Sequence, residues 1–236
     1  MTTAKIVFVV TSSRHLGTTG DPTGVWMEEL TTPYYIFHDA GYQIDIASIQ
    51  GGDIPIDPRS YKEQGENPPS VDRFLKDPQA MAALQTSLPI DSIASENYAA
   101  LFLPGGHGTM FDLPDNHALA DRIATMLTRG AIVAAVCHGP AGLVSAKFED
   151  GTPVVSGKKV AAFTNAEEQA VGLTDAMPFL LETRLRDLKA DVHTAPNFEP
   201  HALADGTLIT GQNPASSQAV ADLVIEALKR FTATPS

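Results

Sequence analysis

The sequence predicts an α/β protein in which a parallel sheet is sandwiched by helices and carries a small inserted lid. Three observations predict it. Short apolar, β-branched runs alternate with helical patterns along the chain. The first run, residues 5–10, is uninterrupted by polar residues, as expected of a strand buried on both faces. Strand–helix alternation implies parallel pairing with helices on both faces.

The elements follow in order. Residues 5–10 (KIVFVV) read as the first strand, and 28–40 as a helix ended by Gly41. Residues 43–48 and 99–103 read as the next two strands, the second closed by Pro104-Gly105-Gly106. A helix is expected over 115–128, ended by Gly130, then a strand over 131–136. Residues 137–139 turn into a helix over 140–146. A fifth strand is expected at 159–163, a sixth at 207–210 and a closing helix at 216–231, with a frayed tail at 232–236. The stretch 51–97 breaks the rhythm with six prolines and a short helix near 72–84. It reads as an insertion in a single domain spanning 1–236, serving as a lid or a decorative loop.

Composition narrows the functional classes. The chain has 236 residues, enough to bury a sizeable core, with 43% hydrophobic and 19% charged residues. One cysteine excludes an intrachain disulfide framework and a four-cysteine zinc site, and argues for a reducing compartment. A net charge of −12 disfavours nucleic acid or an anionic membrane as partner. The apolar stretch after Lys5 is too short for a signal-peptide core or a span, so a cytoplasmic location is expected.

The lone cysteine, Cys137, ends the apolar run 131–136 and precedes His138, Gly139 and Pro140. Ligands of open α/β sheets bind beyond the carboxyl ends of strands, and a sharp strand-to-helix turn there exposes its central side chain. A helix start would lower the thiol pKa, giving a thiolate that oxidises readily. The bland reading is a small buried core residue. His138 is suited to activate a thiol, although a histidine there also serves to bond backbone. "LPGGHGTM" at 103–110 follows a strand, and its glycines bring backbone N–H groups close to a ligand oxygen. It lacks the lysine and hydroxyl residue of a phosphate-binding loop. Glu167 and Glu168 follow the fifth strand, either to orient His138 or as acidic residues at a helix start. Helical spacing groups Glu29 with Pro33, Ile36 and Ala40, and Glu28 with the polar Thr32, Tyr35 and Asp39. Glu29 is thus the inward carboxylate or a rim charge. An inward setting raises its pKa and suits a proton shuttle.

The set "TGVWMEE", "LPGGHGTMFD", "AAVCHGPAGL", "FTNAEE" and "ITGQNPASS" resembles the ThiJ/PfpI superfamily over nearly the whole chain. Within it, the chain is most similar to the heat-shock chaperone-like, glutathione-independent glyoxalase III branch. The resemblance implies a flavodoxin-like sheet and a catalytic set of Cys137, His138, Glu29 and Glu168. It places the substrate and oxyanion site at Gly106 and His107, with the His138 amide. It implies conversion of methylglyoxal or a similar 2-oxoaldehyde to a 2-hydroxy acid, without cofactor or metal, by a homodimer. In related members a histidine commonly precedes the proline after the inward glutamate; here Thr32 precedes Pro33. The histidines are scattered, and none sits in a zinc-like spacing with a carboxylate. Two rival readings share these residues. One is a cysteine hydrolase of amides or peptides. The other is a chaperone or oxidative-stress sensor with a sticky patch on the insertion.

Overall fold

In a computed structural model, which describes residues 4–233, seven strands form one twisted sheet with helices on both faces. The N-terminal half supplies β1 (Lys5–Val10), α1 (Met27–Asp39), β2 (Gln43–Ser48), α2 (Pro69–Leu75), α3 (Pro78–Gln85), β3 (Leu88–Pro89) and β4 (Ala100–Leu103). Then follow α4 (Thr109–Asp112), α5 (His117–Thr128), β5 (Ile132–Val136), β6 (Lys159–Val160), α6 (Asn165–Ala170), α7 (Leu181–Asp187) and β7 (Asp191–Val192). The chain closes with β8 (Ala202–Asp205), β9 (Leu208–Gly211) and α8 (Ser217–Ala233). The expected tail splits: α8 runs through 232–233, and 234–236 lie outside the described residues.

The sheet order is β3-β2-β1-β4-β5-β9-β8. All pairings are parallel except β8 with β9, a hairpin turned at Gly206. The unbroken apolar runs have the predicted cause. In β1, Ile6, Phe8 and Val10 pack into one core layer, while Val7 and Val9 pack into the opposite one. In β5, Ile132, Ala134 and Val136 face the first layer and Val133 and Ala135 the second. The first layer receives α1 and α8 through Leu30, Phe37, Val220 and Val224; the second receives α5 through Leu119, Ile123 and Met126.

Three expectations are corrected. Residues 159–163 do not enter the main sheet. Only Lys159–Val160 is a strand, paired with β7 in a separate two-stranded sheet. The free edge of β9 is already taken by β8, so Ala161 is tied to β9 by its N–H to Thr210 Oγ1, 2.9 Å, instead of a ladder. The helix expected at 140–146 is a 3₁₀ turn over Gly139–Leu143. The helix near 72–84 is two helices, separated where Asp77 caps α3 and Pro78 opens it.

The insertion at 51–97 is packed down. Ile54, Val71, Phe74 and Leu84 are buried in the α1-side core, while Tyr61 and Leu88 are exposed. Its first stretch runs beside the start of α1: Val25 N–H donates to Pro55 O (2.9 Å) and Asp57 N–H to Val25 O (3.0 Å).

Phe102 shows how tightly the sheet is tied to its helices. It is fully buried, with ring centroids 5.0 Å from Phe8 and 5.8 Å from Phe37. Phe102→Ala should destabilise the fold by about 3–5 kcal/mol, the usual cost of emptying a buried aromatic site. A urea midpoint shift worth less than about 1 kcal/mol would mean that this layer is loosely packed.

Candidate active site

Cys137 ends the central strand β5 with φ +60°, a left-handed backbone that a non-glycine residue rarely adopts. Two hydrogen bonds fix the conformation. Cys137 N–H donates to Gly211 O, and Phe163 N–H donates to Cys137 O, both at 2.9 Å. The chain must then fold sharply away. A Cβ on Gly139 would lie 2.1 Å from Leu103 O, so only glycine fits there. This elbow turns the sulfur toward two neighbouring loops.

One is 104–109, after β4. The Thr109 hydroxyl lies 2.8 Å from Gly106 O and 3.1 Å from His138 O, stapling this loop to the elbow. Gly106 has φ +103°, and a Cβ there would strike Gly24 O at 2.2 Å. Its amide N–H donates to no acceptor among the described residues. The His138 amide acts on the sulfur and favours its charged form. These two amides are where the sequence places the oxyanion site.

The other loop leads into α6, which Thr164 and Glu167 open with a capping box. The two adjacent glutamates divide the work. Glu167 Oε1 accepts from Phe198 N–H (2.8 Å), Asn213 Nδ2 (2.9 Å) and Gln212 Nε2 (3.1 Å), anchoring α6 to the end of β9. Glu168 faces the elbow. Its Oε2 lies 2.7 Å from His138 Nε2, and His138 Nδ1 lies 3.4 Å from Cys137 Sγ. A Cys–His–Glu relay is therefore assembled from the ends of β5 and α6.

The His107 side chain is turned toward Glu168. Its side chain bonds Glu168 Oε1 through Nε2 at 2.8 Å, and its ring lies 4.2 Å from that of His138. Burial and the nearby His138 charge push its pKa down to about 4, so it is neutral at pH 7. Burial alone would raise the Glu168 carboxyl. The hydrogen bonds from His107 and His138, and their charges, outweigh that and bring it down to about 2. Glu168 is thus held ionised between two histidines.

Histidines scattered in sequence therefore meet in space. Donor atoms of His107, His138 and Glu168 lie within 4.8 Å of one another, a set that can hold a metal ion, which spacing along the chain did not reveal. Each Nε2 lies within hydrogen-bond distance of a different Glu168 oxygen, 2.8 Å for His107 and 2.7 Å for His138.

Glu29 is fully buried on α1 and Glu28 half-buried, but the two faces are not those read from spacing: Tyr35, grouped with Glu28, is buried, while Ile36 is half-buried and Ala40 exposed. Gly105 N–H donates to Glu29 Oε2 at 2.7 Å. A Cβ on Gly105 would lie 2.6 Å from that oxygen and 2.7 Å from His138 N, so this glycine lets the carboxyl reach the elbow. Glu29 Oε1 is buried without a hydrogen-bond partner among the described residues, and the carboxyl interacts with the Cys137 thiol. Burial raises the Glu29 pKa to about 8, against the hydrogen bonds from Cys137 and Gly105.

The thiol differs from its expectation. The turn after it is a short 3₁₀ segment, and burial pushes the Cys137 pKa up, with further increments from Glu29 charge and hydrogen bonding. At neutral pH Glu29 is protonated, which removes its charge from that balance. Thiolate formation thus depends on Glu29 keeping its proton and on His138 accepting the thiol's.

Glu29 also has a measurable stability cost. Its folded pKa, about 8, exceeds the ordinary 4.5. Its stability contribution is therefore complete below pH 4.5 and is lost as pH rises through 8. Glu29→Gln keeps an acceptor for Gly105 N–H and does not ionise. It should be more stable than wild type by about 3 kcal/mol at pH 7, with the gap closing near pH 4. Melting curves that coincide at both pH values would show that Glu29 titrates normally.

Residues 23–227 match the model of the DJ-1/PfpI family. Glutathione-independent glyoxalase hsp3101 of Schizosaccharomyces pombe is 33% identical over 219 residues, covering 88% of each chain. The crystal structure of glyoxalase III from Candida albicans has a TM-score of 0.86 at 29% identity, covering 95% of this chain and 97% of that one. Rapid Encystment Protein 24 KDa of Francisella tularensis has a TM-score of 0.91 at 35% identity, covering 95% and 99%. With the family model spanning most of the chain and relatives above 30% identity along its length, this protein belongs to the DJ-1/PfpI family.

Proposed function

We propose that the protein is a glutathione-independent glyoxalase, converting methylglyoxal or a similar 2-oxoaldehyde to a 2-hydroxy acid such as lactate. The observation that carries this is the fully buried Glu29 carboxyl, which interacts with the Cys137 thiol in addition to the His138–Glu168 relay and whose burial favours its protonated form. Acyl hydrolysis needs only the relay. Moving a proton between two adjacent substrate carbons needs an additional acid–base group, and Glu29, near pKa 8, can both give and take one. The relatives named glyoxalases support the same reading.

The steps balance as follows. His138 takes the thiol proton, sulfur bonds to the aldehyde carbon, and His138 returns that proton to the aldehyde oxygen, giving a neutral hemithioacetal and freeing the imidazole to act again as a base. The amides of Gly106 and His138 hold its oxygen. His138 removes the proton from that carbon while the protonated Glu29 gives its own to the ketone oxygen, forming an enediol; His138 then returns a proton to the neighbouring carbon as Glu29 takes back the hydroxyl proton of the sulfur-bearing carbon. The product is a thioester of the 2-hydroxy acid. Water, deprotonated by His138, cleaves it to the free acid and thiol. The net change is addition of one water, with no oxidant, glutathione or metal. Glu168 stays ionised throughout and stabilises the imidazolium.

Burial favours a small substrate. Cys137 is 3% and His138 1% exposed, a degree of burial that favours a small aldehyde over an extended peptide. No helix among the described residues is long and apolar enough to cross a membrane.

Purified protein should form D-lactate from methylglyoxal without glutathione, and Cys137→Ala should abolish this while keeping the fold. Residual turnover above about 1% in that variant would exclude the covalent route, since loss of a nucleophile ordinarily costs far more than 10²-fold.

Glu29→Gln should lower kcat by about 10²-fold or more, whereas Glu28→Gln should behave like wild type. The wild-type rate should also fall as pH rises through about 8, where Glu29 loses its proton. Equal kinetics for the two glutamine variants would remove Glu29 from the mechanism.

A further inference from the structure

The proposed reaction makes a carboxylate from a neutral aldehyde, in a site that already contains Glu29 and the ionised Glu168. A cation nearby would therefore decide which ligands the site holds. The insertion supplies one. Arg59 sits in a 3₁₀ turn, Pro58–Ser60, capped by Asp57. Asp57 is fully buried, and its Oδ1 accepts from the Arg59 amide N–H and from Arg59 Nε, both at 2.9 Å. Its Oδ2 accepts from Arg59 Nη2 at 2.6 Å and from Thr23 Oγ1 at 2.9 Å. This two-point fork fixes the plane of the guanidinium. Arg59 Nη2 also lies 3.4 Å from His107 Nδ1, which puts the cation against the histidine that holds Glu168.

The remaining edge of the guanidinium is unused. Arg59 Nη1 donates to no acceptor among the described residues, and the side chain is 41% exposed. A flexible surface arginine loses rotamer freedom when it binds an anion. Here that freedom is already lost in the free protein, so binding costs less.

We infer that Arg59 is an anion-recognition residue of this site, whose free Nη1 edge binds the carboxylate of the 2-hydroxy acid product and of an acid-bearing aldehyde substrate. The inference rests on the glyoxalase reading for the identity of its ligands. It predicts that the site discriminates by charge and not only by size, and that the insertion sets this preference.

The test is a binding titration on wild-type protein, read by fluorescence of the single tryptophan. That residue, Trp26, reports on the site because its amide N–H donates to Gly105 O at 3.1 Å. Three ligands are compared: lactate, glyoxylate, and lactamide as the uncharged analogue of lactate. Wild type should bind lactate, glyoxylate or both about tenfold or more tighter than lactamide, a charge-assisted hydrogen bond's worth. Lactate alone would identify the product as the ligand, and glyoxylate alone an acid-bearing substrate.

Arg59→Gln should reduce the preference to about twofold or less, and Arg59→Lys should retain part of it, having charge without the fork. Since Arg59→Gln leaves buried Asp57 short of a partner, the double variant Asp57→Asn/Arg59→Gln repeats the measurement with that position neutral. A preference that survives both variants overturns the inference, as does a wild type that binds all three ligands alike. Equal weakening of lactate and lactamide would show a structural role for Arg59 and overturns it too. The assay needs no turnover. Failure to produce lactate from methylglyoxal would therefore count against the glyoxalase reading alone.

Discussion

Cys137 holds a left-handed backbone at the end of β5, a conformation costing on the order of 1–3 kcal/mol for a residue with a side chain. The surroundings are built to hold it. Gly211 on β9 accepts its N–H, Phe163 ahead of α6 donates to its carbonyl, and Gly139 allows the chain to turn against Leu103 O. Each of these contacts comes from a different part of the chain. Once the elbow is set, the sulfur, the His138 ring and the His138 amide have little freedom left. The positions of the loops after β4 and before α6 follow from it through the Thr109 hydroxyl and the Phe163 amide.

Two carboxyls flank this elbow and are pushed in opposite directions. Glu29 is buried with one backbone donor and is raised to about 8. Glu168, although buried too, is lowered to about 2 because two histidines bond its two oxygens. Splitting a pair of like groups in this way lets one carry a proton at neutral pH while the other remains a fixed charge. Glu167, one residue from Glu168, plays neither part. Its bonds to Gln212, Asn213 and Phe198 hold α6 in the register that delivers Glu168 to His138.

The insertion is more than a cover. Its Ile54, Val71, Phe74 and Leu84 complete the α1-side core, and its opening stretch delivers Asp57 and Arg59 to the rim of the site.

The sequence by itself determined most of the sheet and the position of Cys137 at a strand end, because these depend on local periodicity. A strand buried on both faces must be apolar throughout. It could not show that 159–163 would be excluded from the main sheet, since that depends on β8 occupying the β9 edge from more than forty residues away. Nor could it show that His107 would bond Glu168, that Glu167 would be an anchor, or that Arg59 would be locked by Asp57 beside His107. Spacing also suggested a lowered thiol pKa from a helix start. Desolvation, set by everything packed round the sulfur, pushes it the other way. Pairing partners, burial and pKa values are sums over neighbours brought together by the fold, and only the tertiary structure decides who those neighbours are.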